Sequence, residues 1–441
     1  MGNVLAYLYR LVLVWLLCLT VVFASEFDAT NPTHLKQLKL KYKQAEIRYK
    51  TLRQKPVHLS EVEQMVAMIQ QAKASQQYSQ LNDLLSDFLI QLDALENTNA
   101  QQVESSTALN TKPRGESDAS PDIKSVESQW LARLKARPYF LKLHQIKGAA
   151  SHINQHGAMS RNLTSFSDVA AQRDALWVLR NGILAQDQAV VAKAVLALEY
   201  AFEYQTSEGN FSNGRGVSAR TAVGVDAFYL YALGYAYQLL GADGRFPTSY
   251  QRLDGHRSSW QKAISWLANN SAELYRQDKH TPNRLLFDAM AFSFANHAMP
   301  DANLKKLGRT YLQRALYAQR DDGAFIEKGG HDSSYQAVCL LNLSWLALYS
   351  EDSQEKVEIQ QALTKGAAWL AARISAKGEV SKRGNTRTGS GQEIQSGKEK
   401  DINYPEVALS LYYASELLNQ PEYADKADKV VAFALAYYGY D

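Results

Sequence analysis

Two cysteines in 441 residues, Cys18 and Cys339, are all the thiols this sequence offers. Cys18 falls in an N-terminal apolar run, so a processed chain keeps Cys339 alone and forms no internal disulfide. Cys339 stands among leucines and reads as a small buried apolar residue. Charge of one sign is also missing: 48 Lys and Arg against 45 Asp and Glu leave a net charge of +3. That excludes nucleic acid as the main partner, which calls for a concentrated basic face. It leaves room for an anion held by a local cluster. Metal-ligand spacing is absent, since "HINQH" (152–156) has no supporting acids. No glycine-rich phosphate loop follows a strand pattern. No metal and no other cofactor is therefore expected. Period-two alternation is almost absent, which disfavours a sheet-based domain. After the first two dozen residues no apolar run is long enough to cross a bilayer.

What is present begins with an export signal. Arg10 precedes "LVLVWLLCLTVVFA" (11–24), and Val22-Phe23-Ala24 fits the small-residue rule for cleavage before Ser25. Residues 1–24 are thus expected to be a signal peptide, with an uncleaved anchor as the rival. The product is periplasmic or secreted, with no membrane span once the signal is removed. In the segment 25–96, residues 33–96 alternate charged and apolar positions with helical period, as in "LKQLKLKYKQAEIRYKTLRQK". They are expected to form a helical stem whose charged faces suit solvent or a protein partner. Residues 97–125 are polar and proline-containing, and read as a flexible linker.

The main domain, 126–441, is helical throughout and carries a recurring connector. "YQTSEGNF" (204–211) and "AQRDDGAF" (318–325) share Gln, three residues, Gly, one residue and an aromatic; "SAKGEV" (375–380) is a degenerate copy. In each, a helix ends, glycine turns the chain, and a hydrophobic residue tucks back. Helix pairs follow at 168–184 with 188–205, 220–240 with 258–277, 283–298 with 302–319, 333–350 with 354–376, and 404–418 with 421–439. First members such as "LLFDAMAFSFANHAM" are small and aromatic; second members are more charged. The expected fold is all-α, an α/α toroid forming an incomplete barrel of about five to six helix pairs. Its inner helices run parallel, so their N-termini share one rim.

Polar residues gather at those entrances. Asn283 and Arg284 follow Thr281 and Pro282; His331, Asp332 and Tyr335 surround a Ser333–Gln336 capping box; Tyr404 precedes Pro405; Arg215 and Arg220 open the second inner helix. The loop 381–401 adds Lys382, Arg383, Arg387, Lys398 and Lys400, and its Gly and Ser content suggests a mobile cover. Helix N-termini favour a carboxylate. A uronic acid suits such a rim, because β-elimination needs its carboxylate neutralised, a base for the C5 proton and an acid for the leaving oxygen. Asn283 and Arg284 suit the first task; Tyr335 and His331 could divide or combine the other two.

"PNRLLFDAMAFSFA" followed by "DGAFIEKGGHDSSY" is similar to the toroid portion of heparinase II/III-like and alginate polysaccharide lyases. The likeness covers roughly 165–440 and maps their motif onto Asn283, Arg284, Asp322, Gly323, Glu327 and Tyr335. It implies an exported lyase for an acidic polysaccharide, with Tyr335, His331, Asn283 and Arg284 catalytic. Substrate contacts are expected from Arg215, Arg220, Arg383, Arg387, Lys400, Tyr404, Asp332 and Glu327. The chain departs from the family in having Arg284 after the Asn, and in stopping after the toroid. Two other readings stay open. One is a glycoside hydrolase using acids such as Asp288, Asp322, Glu327 or Asp332; the other is a non-catalytic glycan-binding or assembly protein. His297 is expected to be a paired core histidine.

Overall fold

A computed structural model describes residues 123–211, 219–395 and 397–438. The chain divides into two units, Met1–Gly115 and Glu116–Asp441, and all the described residues belong to the second. The expected signal peptide, stem and nearly all of the expected linker lie outside the described residues, as does Arg215.

Fourteen α-helices make up the described residues: α1 Ile123–Leu134, α2 Phe140–Lys147, α3 Ala175–Ala185, α4 Gln188–Tyr200, α5 Ala219–Asp243, α6 Pro247–Asp254, α7 Arg257–Asn269, α8 Ser271–Asp278, α9 Pro282–Ala298, α10 Ala302–Tyr317, α11 Ser333–Tyr349, α12 Ser353–Ala372, α13 Tyr404–Leu417 and α14 Pro421–Tyr438. The described β-structure is one hairpin, β1 Ile394–Gln395 and β2 Lys398–Glu399, besides isolated bridges. No described helix is long and apolar enough to cross a membrane.

Burial sorts the helices into two rings. On α9 nearly every side chain from Pro282 to Ala295 is buried, the mark of a helix enclosed on all sides. Its partner α10 buries Leu304, Gly308, Tyr311, Leu312 and Ala315, a single face at helical spacing. Neighbouring inner helices pack directly: α5 on α9, α9 on α11, α11 on α13. The inner ring closes through α3, with α2 touching both α13 and α3. This is the α/α toroid, in which α2 fills the gap between α13 and α3 and runs antiparallel to them, with Lys147 at its C-terminal end near Glu406. Because α3, α5, α9 and α11 each return through outer helices, the N-termini of α3, α5, α9, α11 and α13 share a rim.

The expected connectors form small loops closed by a bridge: Gln205 with Phe211, Gln319 with Phe325, Ile374 with Val380. A fourth, Ile153 with Met159, was hidden in the stretch containing "HINQH". Gly323 takes a φ of 94°, and a Cβ there would stand 2.2 Å from the Lys365 carbonyl oxygen of α12. Only glycine tolerates both conditions. Each of the two complete connectors is also tied to the next outer helix by its glutamine. Gln319 Nε2 donates to the carbonyls of Gly323 (3.0 Å) and Ala362 (2.9 Å), as Gln205 does to Gly209 and Ser259.

The barrel is not an open pore. Arg180 on α3 is 4% exposed and meets side chains from four other helices. Its guanidinium donates to Tyr235 (3.0 Å) and Tyr413, lies 3.4 Å from His144 Nε2, and faces the Trp345 ring. Contacts to α2, α5, α11 and α13 together put it on the barrel axis. Burial and that cation hold the His144 imidazole down to about 3, so it stays neutral. Across the far end runs α1, where Arg133 donates to Glu416 (2.8 Å) in the last turn of α13. The barrel is therefore filled at its centre and crossed at its far end by α1.

Candidate active site

At the start of α11 the cap is Asp332, where the Ser-based capping box was expected. One Asp332 oxygen accepts the N–H groups of Ser334 (2.9 Å) and Tyr335 (3.2 Å), meeting two of the helix's orphan donors. Its other oxygen accepts Arg387 N–H (3.0 Å) and Thr388 N–H (2.8 Å) from the 381–401 loop. Ser333 instead donates its hydroxyl to Ser381 O (2.7 Å), and Gln336 reaches back to the connector at Gly323. Asp332, expected among the substrate contacts, has both oxygens committed to the protein's own donors and is 1% exposed. The same bonds pin the loop that composition suggested as a mobile cover.

Pinning delivers two cations to Tyr335. The Arg387 guanidinium lies 3.8 Å from the centroid of the Tyr335 ring, and the Lys400 ammonium donates to its phenol oxygen. Carboxylates hold both cations. Arg387 donates to Glu327 (2.6 Å) and Glu393 (2.9 Å), while Lys400 lies 3.5 Å from Glu393 and Lys328 donates to it at 2.6 Å. Burial raises the Tyr335 phenol above its usual range, with Arg387 pulling the other way. Burial lowers the Lys400 ammonium, and neighbouring Arg387 lowers it further. Glu393 loses solvation, yet its bonds to Arg387 and Lys328 bring it down to about 2. Glu327, 2% exposed with Oε2 lacking a partner, is pushed up to about 7 by burial despite Arg387.

The next inner entrance adjoins this one. Lys328 N–H donates to His280 O (3.2 Å), joining the loop before α11 to the turn before α9. Asn283 is 4% exposed, and its Oδ1 has no hydrogen-bond partner. Arg284 donates to the buried carboxylate of Asp278 (2.9 Å) and faces the Phe228 ring of α5 at 5.6 Å. Glu327 lies within electrostatic reach of Arg284 as well as Arg387, so the two clusters share one neighbourhood. On the other side of Phe228 in sequence order stands Arg173, in the short 3-10 turn Val169–Asp174 that leads into α3. Glu406, at the mouth of α13, is raised by burial, with Arg173 opposing.

Other expected site residues stand elsewhere. The His331 ring packs edge-on to Trp369 of α12 (5.3 Å) and sits 3.3 Å from Arg383 O, against the 383–385 side of the loop. Tyr335 meets the loop at Arg387 and Lys400, so His331 and the phenol are not brought together. Tyr404 turns outward, stacks on Phe433 of α14 (5.5 Å) and is buried. Arg383 is exposed and engages His331 and Arg373 through its carbonyl. Arg220 falls in the first turn of α5. Asp322 is spent on the connector turn, accepting Ala324 N–H (3.1 Å) and pairing with Arg320 (2.7 Å). Asp288 is buried and raised well above the carboxylate range by desolvation and by Asp278. His297, expected to be a paired core histidine, is exposed, 3.7 Å from Glu351. Among the described residues no cluster of His, Cys, Asp or Glu could hold a metal ion.

Reading for rim entrances could have found Arg173, but a first helix set at 168 put that residue in its second turn. Phe228 and Phe287 carried no signal beyond an aromatic inner helix.

No family model matches this chain. No curated protein matches it either. Among solved structures it is similar to a mutant unsaturated glucuronyl hydrolase from Streptococcus agalactiae complexed with dGlcA-GalNAc6S. The TM-score is 0.40 and the identity 12%, covering 74% of this chain and 86% of that one.

Proposed function

We propose that this chain is a polysaccharide lyase that cleaves a uronate-containing glycan by β-elimination at the inner-helix rim. The observation that carries the reading is the Tyr335 phenol, with Arg387 3.8 Å from its ring centroid and Lys400 on its oxygen. A phenol needs neighbouring cations to serve as a base near neutral pH. With the phenol raised and the Lys400 ammonium lowered, the pair gives up its first proton from Lys400, and the resulting amine takes the phenol proton to leave a phenolate beside the Lys400 and Arg387 cations.

The chemistry follows. Asn283 and Arg284 receive the uronate carboxylate, and its neutralisation makes the C5 proton acidic. The phenolate takes that proton; the C5–H electron pair forms the C4–C5 double bond, and the C4–O bond breaks. The leaving oxygen then takes the proton from Tyr335, which returns to its starting state. One residue on one face performs both transfers, so His331 is not required. With the expected export signal, the enzyme meets its polymer in the periplasm or outside the cell.

A second reading rests on Glu327, whose carboxyl at about 7 is half protonated near neutrality and suits the acid of a glycoside hydrolase. Its burial argues against direct contact with a glycosidic oxygen. Incubation with alginate, glucuronan and glycosaminoglycans tests the choice. A lyase produces ultraviolet absorbance from the new double bond, lost in Tyr335→Phe. Silence over that panel sinks the proposal.

A further inference from the structure

Resting on that lyase reading, we infer that Arg173 and Phe228 form a neighbouring sugar subsite that binds a second anionic group, so the substrate carries acids on consecutive sugars. The guanidinium carbons of Arg173 and Arg284 lie 4.7 and 5.6 Å from the centroid of the same Phe228 ring. They arrive from separate rim elements, the turn before α3 and the first turn of α9, with α5 between them. Around the ring, Tyr335, Arg284, Phe228 and Arg173 thus follow one another on α11, α9, α5 and the lead into α3. A glycan with its reacting sugar between Tyr335 and Arg284 meets Arg173 with the next sugar along.

Charge compensation separates the two arginines. Arg284 has the buried Asp278 carboxylate at 2.9 Å, whereas the carboxylate paired with Arg173, Asp174, is 3.8 Å away and itself half exposed. Arg173, with Asp174, Glu406 and Asp168 as its acidic neighbours and no close ion pair, is therefore freer than Arg284 to take a ligand anion. The surface beside it suits a sugar face. Phe228 is half-buried and meets Phe287 edge-to-face at 5.0 Å, and Phe287 stacks on Tyr231 at 4.5 Å. Phe228 is the accessible ring, backed by the buried Phe287 and Tyr231, and an aromatic ring beside a cation is the combination that takes a pyranose ring bearing an acid. A uronate carboxylate and a sugar sulfate ester share this chemistry.

Calorimetry on the full chain carrying Tyr335→Phe, which removes turnover, provides the test. Three probes are titrated: alginate oligomers with a carboxylate on every sugar, chondroitin sulfate oligomers with uronate and sulfate alternating, and hyaluronan oligomers with uronate and an uncharged sugar alternating. Adding Arg173→Gln should weaken alginate or chondroitin sulfate binding ~10-fold, as expected for one charge-assisted contact, and leave hyaluronan unchanged. The probe that weakens identifies the anion, and Arg173→Lys should restore part of the affinity. Equal affinities with and without Arg173, or equal weakening on all three, overturn the subsite while leaving the lyase reading intact. Failure of the Tyr335→Phe chain to bind any uronate overturns both.

Discussion

Replacing Asp332 by alanine probes whether one buried carboxylate both starts α11 and fastens the loop over Tyr335. Asp332→Ala removes the cap of α11, worth ~1 kcal/mol. It also strands the Arg387 and Thr388 N–H groups inside the protein, each at ~1–3 kcal/mol. The loss should be roughly 4 kcal/mol, a large share of the stability of a typical domain. Asp332→Asn keeps one acceptor oxygen, so it can serve either the helix or the loop, and should lose about half as much. Urea unfolding followed by circular dichroism measures both, with the slope on denaturant unchanged if only stability has moved. In the alanine variant, hydrogen exchange should quicken across 386–401, because Arg387 loses its backbone anchor. A loss below ~1 kcal/mol would refute the reasoning, since the cap alone should exceed it.

Three further outcomes follow from the same geometry. Tyr335→Phe should lower kcat by at least ~100-fold with substrate affinity retained, while His331→Ala leaves turnover near that of the parent. Glu327, near 4.5 in the unfolded chain and about 7 when folded, binds its proton more tightly in the native state. Stability should therefore fall as pH rises from about 4.5 through about 7, by on the order of 3 kcal/mol, and Glu327→Gln should flatten that slope in pH-dependent unfolding. Gly323→Ala forces a Cβ against the Lys365 carbonyl at a positive φ, and should cost ~2 kcal/mol or more, read as a lower melting temperature.

Much of the architecture was legible because a toroid writes its layers into composition. An inner helix such as α9 must be small and apolar on every face, and α10 on one face alone, so the two read differently. The connector glycines were legible for the same reason: Gly209 and Gly323 stand where no side chain fits. The copy at 153–159 escaped notice because no long periodic helix flanks it. Within the site, the rim rule brought Asn283, Arg284 and Tyr335 to neighbouring helix entrances and Arg387 and Lys400 to their loop. It could not supply helix rotation, and so Tyr404, at the mouth of α13, turns to Phe433 of the outer helix α14. Nor could it tell which acids serve the backbone. Asp332 and Asp322 are both absorbed by N–H groups, a choice made by loop geometry that sequence spacing does not reveal.

The most direct measurement degrades an active polyuronate in heavy-oxygen water and weighs the products. Elimination adds no oxygen from solvent, so freshly released fragments should keep their ordinary mass, and every fragment whose non-reducing end was made by cleavage should carry a double bond. Fragments that gain one heavy oxygen and have no double bond would contradict the account, and would move the chemistry from the Tyr335 phenol to a carboxyl group.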